Sequence, residues 1–203
     1  MKTLSIIVSS LFLLFIVDLH AQKSIDFNSD QWQIVNGEVV EHLGRQSFKG
    51  TGFLKEITVQ NGIIEVDVAV DGGRSYPGIN FRIQSPKDYE RFYIRPHRQS
   101  LYPDALQYTP CINGISEWQL CSGEGFTSGA ILPKNEWIRI RLEMKDEKAR
   151  VFINDQPTPS LRIHKLKHGL SEGRIGLNGP TNGTAYFSNL RYFETDDLEI
   201  EPG

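Results

Sequence analysis

Between Gly78 and His97, apolar and polar residues alternate with a period of two in two short runs. Ile79, Phe81 and Ile83 alternate with Asn80, Arg82 and Gln84. Phe92 and Ile94 then alternate with Arg91, Tyr93, Arg95 and His97. Successive side chains of an extended chain point to opposite faces, so each run predicts a strand with one face on a core. Joined through residues 86–89, a common hairpin loop length, the two runs close into register. Ile83 is then expected opposite Phe92 and Phe81 opposite Ile94. On the other face Asn80 meets Arg95, Arg82 meets Tyr93 and Gln84 meets Arg91. The predicted outer surface is rich in arginine, tyrosine, amide and imidazole groups, the side chains that grip polyhydroxylated ligands.

The same alternation recurs along the chain. Ile64, Val66, Val68 and Val70 alternate with Glu65, Asp67 and Ala69, which predicts Val66 toward the core and Asp67 toward solvent. Ile138, Ile140, Leu142 and Met144 alternate with Trp137, Arg139, Arg141 and Glu143. Further strands are expected at Val151–Ile153, Ile175–Leu177 and Tyr186–Tyr192. Turn chemistry separates them at Asn61-Gly62, Asp71-Gly72-Gly73, Asn113-Gly114, Asn154-Asp155 and Asn182-Gly183. No window carries an apolar stripe of helical spacing and length. Many short strands at near-regular spacing predict an all-β, two-sheet sandwich or jelly roll in one domain.

The first 21 residues change the address rather than the fold. Lys2, the apolar run 4–17 and the small-residue site Leu19-His20-Ala21 predict a secretory signal peptide. The run is too short to span a hydrocarbon core of ~30 Å comfortably. No cysteine follows the expected cleavage point, which argues against a lipid anchor. The mature chain, residues 22–203, is expected to be secreted or periplasmic and to hold no membrane span. Its domain is placed at 22–194, followed by an acidic tail at 195–203. The net charge of −3 over 203 residues argues against nucleic acid as a partner.

Cys111 and Cys121 pose a choice. An even cysteine count in an exported chain argues for a disulfide. Asn113-Gly114, however, is the strongest two-residue hairpin signal in the sequence. That turn pairs Ile112 with Ile115 and Cys111 with Ser116, leaving Cys121 opposite Leu106 on the other face. The two Cα atoms would then lie beyond the ~7 Å that a bridge tolerates. The hairpin is preferred, with two unbridged thiols.

Several motifs, taken in order, resemble a known group. They are VVEHLGR at 39–45, GIIEVDV at 62–68, PGINFR at 77–82, YIRPH at 93–97 and QYTP at 107–110. Trp118-Gln119-Leu120, Glu136-Trp137 and GRIGL at 173–177 complete the set. From about Phe27 to Phe193 the chain resembles secreted bacterial proteins of the concanavalin A-like lectin/glucanase superfamily. Within it, the laminin-G-like group and the 3-keto-disaccharide hydrolase-like domain are nearest. The resemblance implies a jelly roll of two curved antiparallel sheets whose concave face is the usual ligand surface. Fold alone does not name an activity in this superfamily, which holds enzymes, lectins and adhesion modules.

The glucanases of the superfamily carry a Glu-x-Asp-x-(x)-Glu strand, and retaining chemistry needs two carboxyls ~5–5.5 Å apart. Here Glu65 and Asp67 have the spacing, but Ala69 and Val70 stand where the second glutamate belongs. A glucanase is therefore not expected. The candidate ligand-binding residues are Arg82, Arg91, Tyr93, Arg95, His97, Gln107 and Tyr108. The same residues also read as a cross-strand ladder that merely covers the sheet. Trp118 reads either as a sugar-stacking ring or as a core anchor. His42, His164 and His168 show no zinc spacing, and no loop reads as a calcium site, so neither metal nor cofactor is called for.

The leading expectation is a glycan-binding domain. The alternative is a hydrolase or lyase of the 3-keto-disaccharide hydrolase type, for which His97 with Asp104 or Glu124 would supply acid and base. A laminin-G-like module that binds protein is the third reading.

Overall fold

A computed structural model describes residues 22–98 and 102–201. The predicted leader, residues 1–21, lies outside the described residues. The strands begin with β1 (Lys23–Ser24), β2 (Trp32–His42), β3 (Arg45–Val59), β4 (Gly62–Val70) and β5 (Gly78–Ser85). Next come β6 (Asp88–Ile94), β7 (Leu106–Ile112), β8 (Ile115–Ser116) and β9 (Thr127–Ser128). Then follow β10 (Trp137–Lys145), β11 (Lys148–Ile153), β12 (Leu161–Ile163), β13 (Gly173–Asn178) and β14 (Ala185–Glu194). Among the described residues the one helical element is a 3-10 turn at Pro96–Arg98.

All strand pairs are antiparallel, in the order β12-β11-β10-β4-β14-β3-β13-β5-β6-β7-β8. Strand β3 joins two halves of this path. Its Phe48 pairs with Phe187 of β14, while Thr51 to Val59 pair with β13. The sheet thus folds on itself into two layers around one core. Val66 and Val68 of β4 and Ile140 and Leu142 of β10 come from the first layer. Ile79 and Phe81 of β5 and Phe92 and Ile94 of β6 come from the second. All eight are fully buried, so the alternation correctly placed the apolar face of each strand.

The β5–β6 hairpin differs from its expected register. Ile79 pairs with Phe92, Asn80 with Arg91 and Phe81 with Glu90, and Ser85 then pairs with Asp88 around a two-residue turn at Pro86-Lys87. Arg82, Ile83 and Gln84 bulge opposite Tyr89 alone, and Arg82 takes a left-handed backbone with φ 48°. The shift from the expected pairing is an even number of residues. Phe81, Phe92 and Ile94 therefore stay inward, and Asn80, Arg91 and Tyr93 stay outward. The bulge breaks that parity for Arg82, as bulges do when they re-aim a side chain.

The Asn113-Gly114 hairpin forms as expected. Cys111 pairs with Ser116 and Ile112 with Ile115, with positive φ at both turn residues. Both cysteines are free and buried. Cys121 does not reach Leu106, which pairs with Ser128 instead. The chain turns after Glu117, whose carbonyl accepts from the backbone N–H of Cys121 at 3.1 Å.

Asp67 also departs from expectation. It points away from the core, as predicted, but is only 4 % exposed. Its carboxylate accepts from Arg45 Nη1 at 2.6 Å, Asn189 Nδ2 at 2.8 Å and Arg139 Nε at 3.4 Å. Arg45 lies over the Trp137 ring at 5.0 Å and helps close the polar cover. Asp67→Ala is therefore expected to cost about 1–2 kcal/mol, held down because both arginines are more than a third exposed. Urea titration of the variant beside wild type measures this. A midpoint equal to wild type would show that solvent replaces the three donors without loss.

Candidate functional site

The outer face of the second layer carries a groove of about 710 Å³. Strand β6 brings Arg91 and Tyr93 to it, and the chain beyond adds Arg95, His97 and Arg98. The β4–β5 connection contributes Arg74 and Tyr76. The approach to β7 contributes Tyr102 and Asp104, and the chain from β8 onward contributes Ser116 and Trp118.

Tyr93 is the centre of this construction. Its ring is flanked by two guanidinium groups, Arg91 at 4.7 Å and Arg95 at 5.1 Å. Tyr76 meets it edge-on at 5.9 Å and also meets the His97 ring edge-on at 5.6 Å. The Tyr93 hydroxyl donates to Gln107 Oε1 at 2.6 Å and accepts from Arg95 Nη2 at 3.0 Å. Arg95 Nη2 also donates to Gln107 Oε1. Gln107 Nε2 in turn donates to the carbonyls of Trp118 at 2.8 Å and Cys121 at 2.5 Å. Gln107 thus ties the β6 face to the loop that presents Trp118.

Gly78 sits opposite Tyr93 in the β5–β6 ladder. A Cβ there would stand 2.6–2.7 Å from Tyr93 Cα and Cβ and would also strike the Phe92 carbonyl. The bare backbone is a requirement of this packing. Beside it, Arg91 Nη2 donates to the Tyr76 carbonyl at 3.0 Å and to Asn178 Oδ1 at 2.9 Å.

The groove is strongly cationic: among the described residues Arg74, Arg91, Arg95 and Arg98 face a single carboxylate, Asp104. Asp104 Oδ2 lies 3.3 Å from Arg95 Nη1, which also donates to the Asp104 carbonyl at 2.8 Å. Burial, then the nearby Arg74, Arg98 and Arg95, hold the His97 imidazole below its ordinary value of 6.5. The ring is accordingly neutral at neutral pH. Burial lowers the Arg91 guanidinium, which still stays charged, and raises the Tyr93 phenol. His97 Nδ1, Arg91 Nε and Asp104 Oδ1 are buried with no hydrogen-bond partner among the described residues.

Of the residues singled out from sequence, Arg91, Tyr93, Arg95, His97 and Asp104 line the groove, with Gln107 bracing it from below. Three do not belong. Arg82 is buried at the end of the core and donates to the carbonyls of Gln60, Asp146 and Gly169. Tyr108 is also fully buried, its hydroxyl donating to Glu90 Oε2 at 2.7 Å. Gln107 and Tyr108 are neighbours in one strand, so only one of them can face the groove. Glu124 is exposed elsewhere, 3.6 Å from His164 Nε2. Sequence reasoning missed Arg74, Tyr76, Arg98 and Tyr102, which lie outside periodic strand segments. Trp118 is 49 % exposed at the rim and is not a core anchor. Glu65 and Asp67 lie on the other layer and are occupied by Arg191, Arg45 and Arg139.

Comparisons with known proteins agree with this architecture. Residues 20–192 match the family model of the 3-keto-alpha-glucoside-1,2-lyase-like domain. No curated protein matches the chain. The carbohydrate-binding module CBM66 from Bacillus subtilis superposes with a TM-score of 0.59 at 18% identity, covering 80% of this chain and 95% of its own. A Parabacteroides distasonis protein provisionally described as a glycosyl hydrolase gives 0.56 at 13% identity, covering 86% and 100%. Chicken galectin 2 gives 0.51 at 11% identity, covering 70% and 97%. At these identities the structural likenesses establish the fold, a concanavalin A-like jelly roll. The chain belongs to the family of 3-keto-alpha-glucoside-1,2-lyase-like domains.

Proposed function

We propose that the Arg–Tyr groove binds a saccharide, and that the protein acts outside the cytoplasm after removal of residues 1–21. The observation that carries the binding reading is the pairing of half-exposed aromatic rings with fixed guanidinium groups along one groove. Tyr76, Tyr102 and Trp118 offer flat faces to the apolar side of a sugar ring. The arginines donate to its hydroxyls from positions held by Gln107, Asn178 and Asp104. A carbohydrate-binding module among the structural neighbours supports this reading.

A glycan array followed by calorimetric titration tests it. Trp118→Ala is expected to weaken the best glycan about tenfold, a loss of about 1.4 kcal/mol. Its melting temperature should stay near wild type because the ring is half exposed. Unchanged affinity would remove Trp118 from the site, and an array with no binder would remove the reading. For export, N-terminal sequencing of the cell-produced protein should begin near Gln22; Met1 retained in a membrane fraction refutes it.

A second reading, elimination on a 3-keto-glycoside, is favoured by the family and by His97. In that reaction the base removes the proton at C2, which the neighbouring ketone acidifies. The C1–O bond then breaks, and the leaving oxygen takes up a proton. A neutral imidazole in a cationic site suits the first step, because nearby guanidinium groups stabilise the developing enolate. With Glu124 outside the groove, Asp104 is the remaining acid candidate. Because the His97 pKa is lowered, the unprotonated base survives acidification further than an ordinary histidine. The acid limb of kcat/KM is expected below pH 6.5, with activity lost as pH falls through that limb. His97→Gln should abolish turnover of a 3-keto-disaccharide while retaining its binding. Full activity in His97→Gln would exclude this base.

A further inference from the structure

We infer that the groove selects saccharides carrying an anionic substituent, a uronate carboxylate or a sulfate ester. The inference rests on the saccharide-binding reading above and narrows it to a substrate class. In the opposite layer five arginines are matched, with the exposed Arg162 of the short strand β12 the exception: Arg45 and Arg139 meet Asp67, Arg141 and Arg150 meet Glu143, and Arg191 meets Glu65. The groove breaks this pattern. Its only carboxylate among the described residues, Asp104, is taken by Arg95.

The other three guanidinium groups have neutral company among the described residues. Arg74 Nε donates to the Tyr76 hydroxyl at 3.0 Å. Arg91 is held by a backbone carbonyl and an amide, and its Nε is buried with no partner. Arg98 lies over the Tyr102 ring at 4.5 Å. The chain as a whole is net acidic, at −3, so the cluster does not follow from composition.

Like charges gathered along one groove raise one another's energy, more for the half-buried Arg91 and Arg98 than for the exposed Arg74, which water screens. A neutral sugar would hydrogen-bond to these groups but leave the repulsion in place. An anionic substituent removes it and accepts the planar, two-pronged donation that guanidinium groups offer and that carboxylate or sulfate oxygens match. Asp104 limits the surplus at one end, so the anion is expected nearer Arg74, Arg91 and Arg98.

The test compares acidic oligosaccharides with their neutral counterparts on the full mature chain. Probes are tetramers of galacturonate, mannuronate and glucuronate-containing glycans, each beside its carboxyl-reduced form, and sulfated oligosaccharides beside their desulfated forms. Calorimetric titrations are run at 50 and 300 mM sodium chloride. At least one acidic form is expected to bind about 10- to 100-fold more tightly than its neutral partner and to weaken with salt. Which arm shows the preference separates carboxylate from sulfate. Arg98→Gln and Arg74→Gln should each shrink the acidic-to-neutral ratio several-fold, with melting curves confirming the fold. Neutral forms that bind as well as acidic ones, without salt dependence, overturn the inference and leave saccharide binding standing. A preference that survives in the Arg74→Gln/Arg98→Gln double variant also overturns it. Binding by no probe, acidic or neutral, overturns both.

Discussion

Arg82→Leu is expected to lower the unfolding free energy by about 3–5 kcal/mol, the cost of taking a charged donor away from three backbone carbonyls. Arg82 is 1 % exposed. From the β5 bulge its side chain reaches the turns of the facing layer. Nε and Nη2 donate to the Gln60 carbonyl at 3.0 and 2.7 Å, Nη1 to Gly169 at 2.9 Å and Nη2 to Asp146 at 2.6 Å. One guanidinium thereby closes the β3–β4 turn, the β10–β11 turn and the loop before β13. Burial depresses its pKa, and the nearby Glu90 carboxylate acts in the opposite direction.

Leucine would leave three carbonyls without this donor, each worth ~1–3 kcal/mol if it stays dry, and would take a positive charge from the neighbourhood of Glu90. At about 2–4 °C per kcal/mol for a chain of this size, the melting temperature should fall by roughly 10 °C. Denaturant and thermal melts measure this. Arg82→Lys should fall between the two, because an ammonium keeps the charge but lacks the planar fork. Saccharide affinity of the folded variant should match wild type, because Arg82 is outside the groove. A stable Arg82→Leu that loses ligand would overturn this assignment and return Arg82 to the binding face.

Arg95→Ala is expected to affect ligand and fold together. An exposed arginine on a sheet face would contribute little to stability, but Arg95 is only 7 % exposed. It connects the Tyr93 hydroxyl, Gln107 Oε1 and the Asp104 loop. Alanine leaves Asp104 without its ion-pair partner and loosens the brace that presents Trp118. Stability should drop by about 2–3 kcal/mol, because hydrogen bonds to a charged donor are worth ~1.5–3 kcal/mol each and part of the loss is recovered by water. Ligand affinity should fall by about 10- to 100-fold. Calorimetric titration beside melting curves gives both quantities. Tyr93→Phe separates them, since it deletes the bridging hydroxyl but keeps the ring between Arg91 and Arg95. It should keep most of the affinity while losing about 1 kcal/mol of stability. Full affinity in Arg95→Ala would show that the guanidinium serves the fold alone.

Parity along each strand was legible from the chain itself. Ile79, Phe81, Phe92 and Ile94 share a face in every pairing related by an even shift, the only shifts a buried face allows, and so do Arg91, Tyr93 and Gln107. Turn chemistry was equally local: Asn113 and Gly114 take the positive φ values that their hairpin demands. The sandwich class and a polar, arginine-rich face follow from such short-range rules.

Register, bulges and the cover over polar groups required the folded chain. Arg82 fits the alternation of an outward residue, yet carbonyls from three distant segments hold it between the layers. Nothing within β5 announces Gln60, Asp146 or Gly169. Asp67 reads as a solvent-facing carboxylate until β10 sets Arg139 directly opposite and the start of β3 brings Arg45 over it. Arg74, Tyr76, Arg98 and Trp118 lie outside the regular alternation, so only closure of the second layer showed that they complete one groove. Alternation reports which way a side chain leaves its own strand, a property of the local backbone. Its partner depends on long-range pairing, where an even shift changes every neighbour and leaves the hydrophobic pattern unchanged.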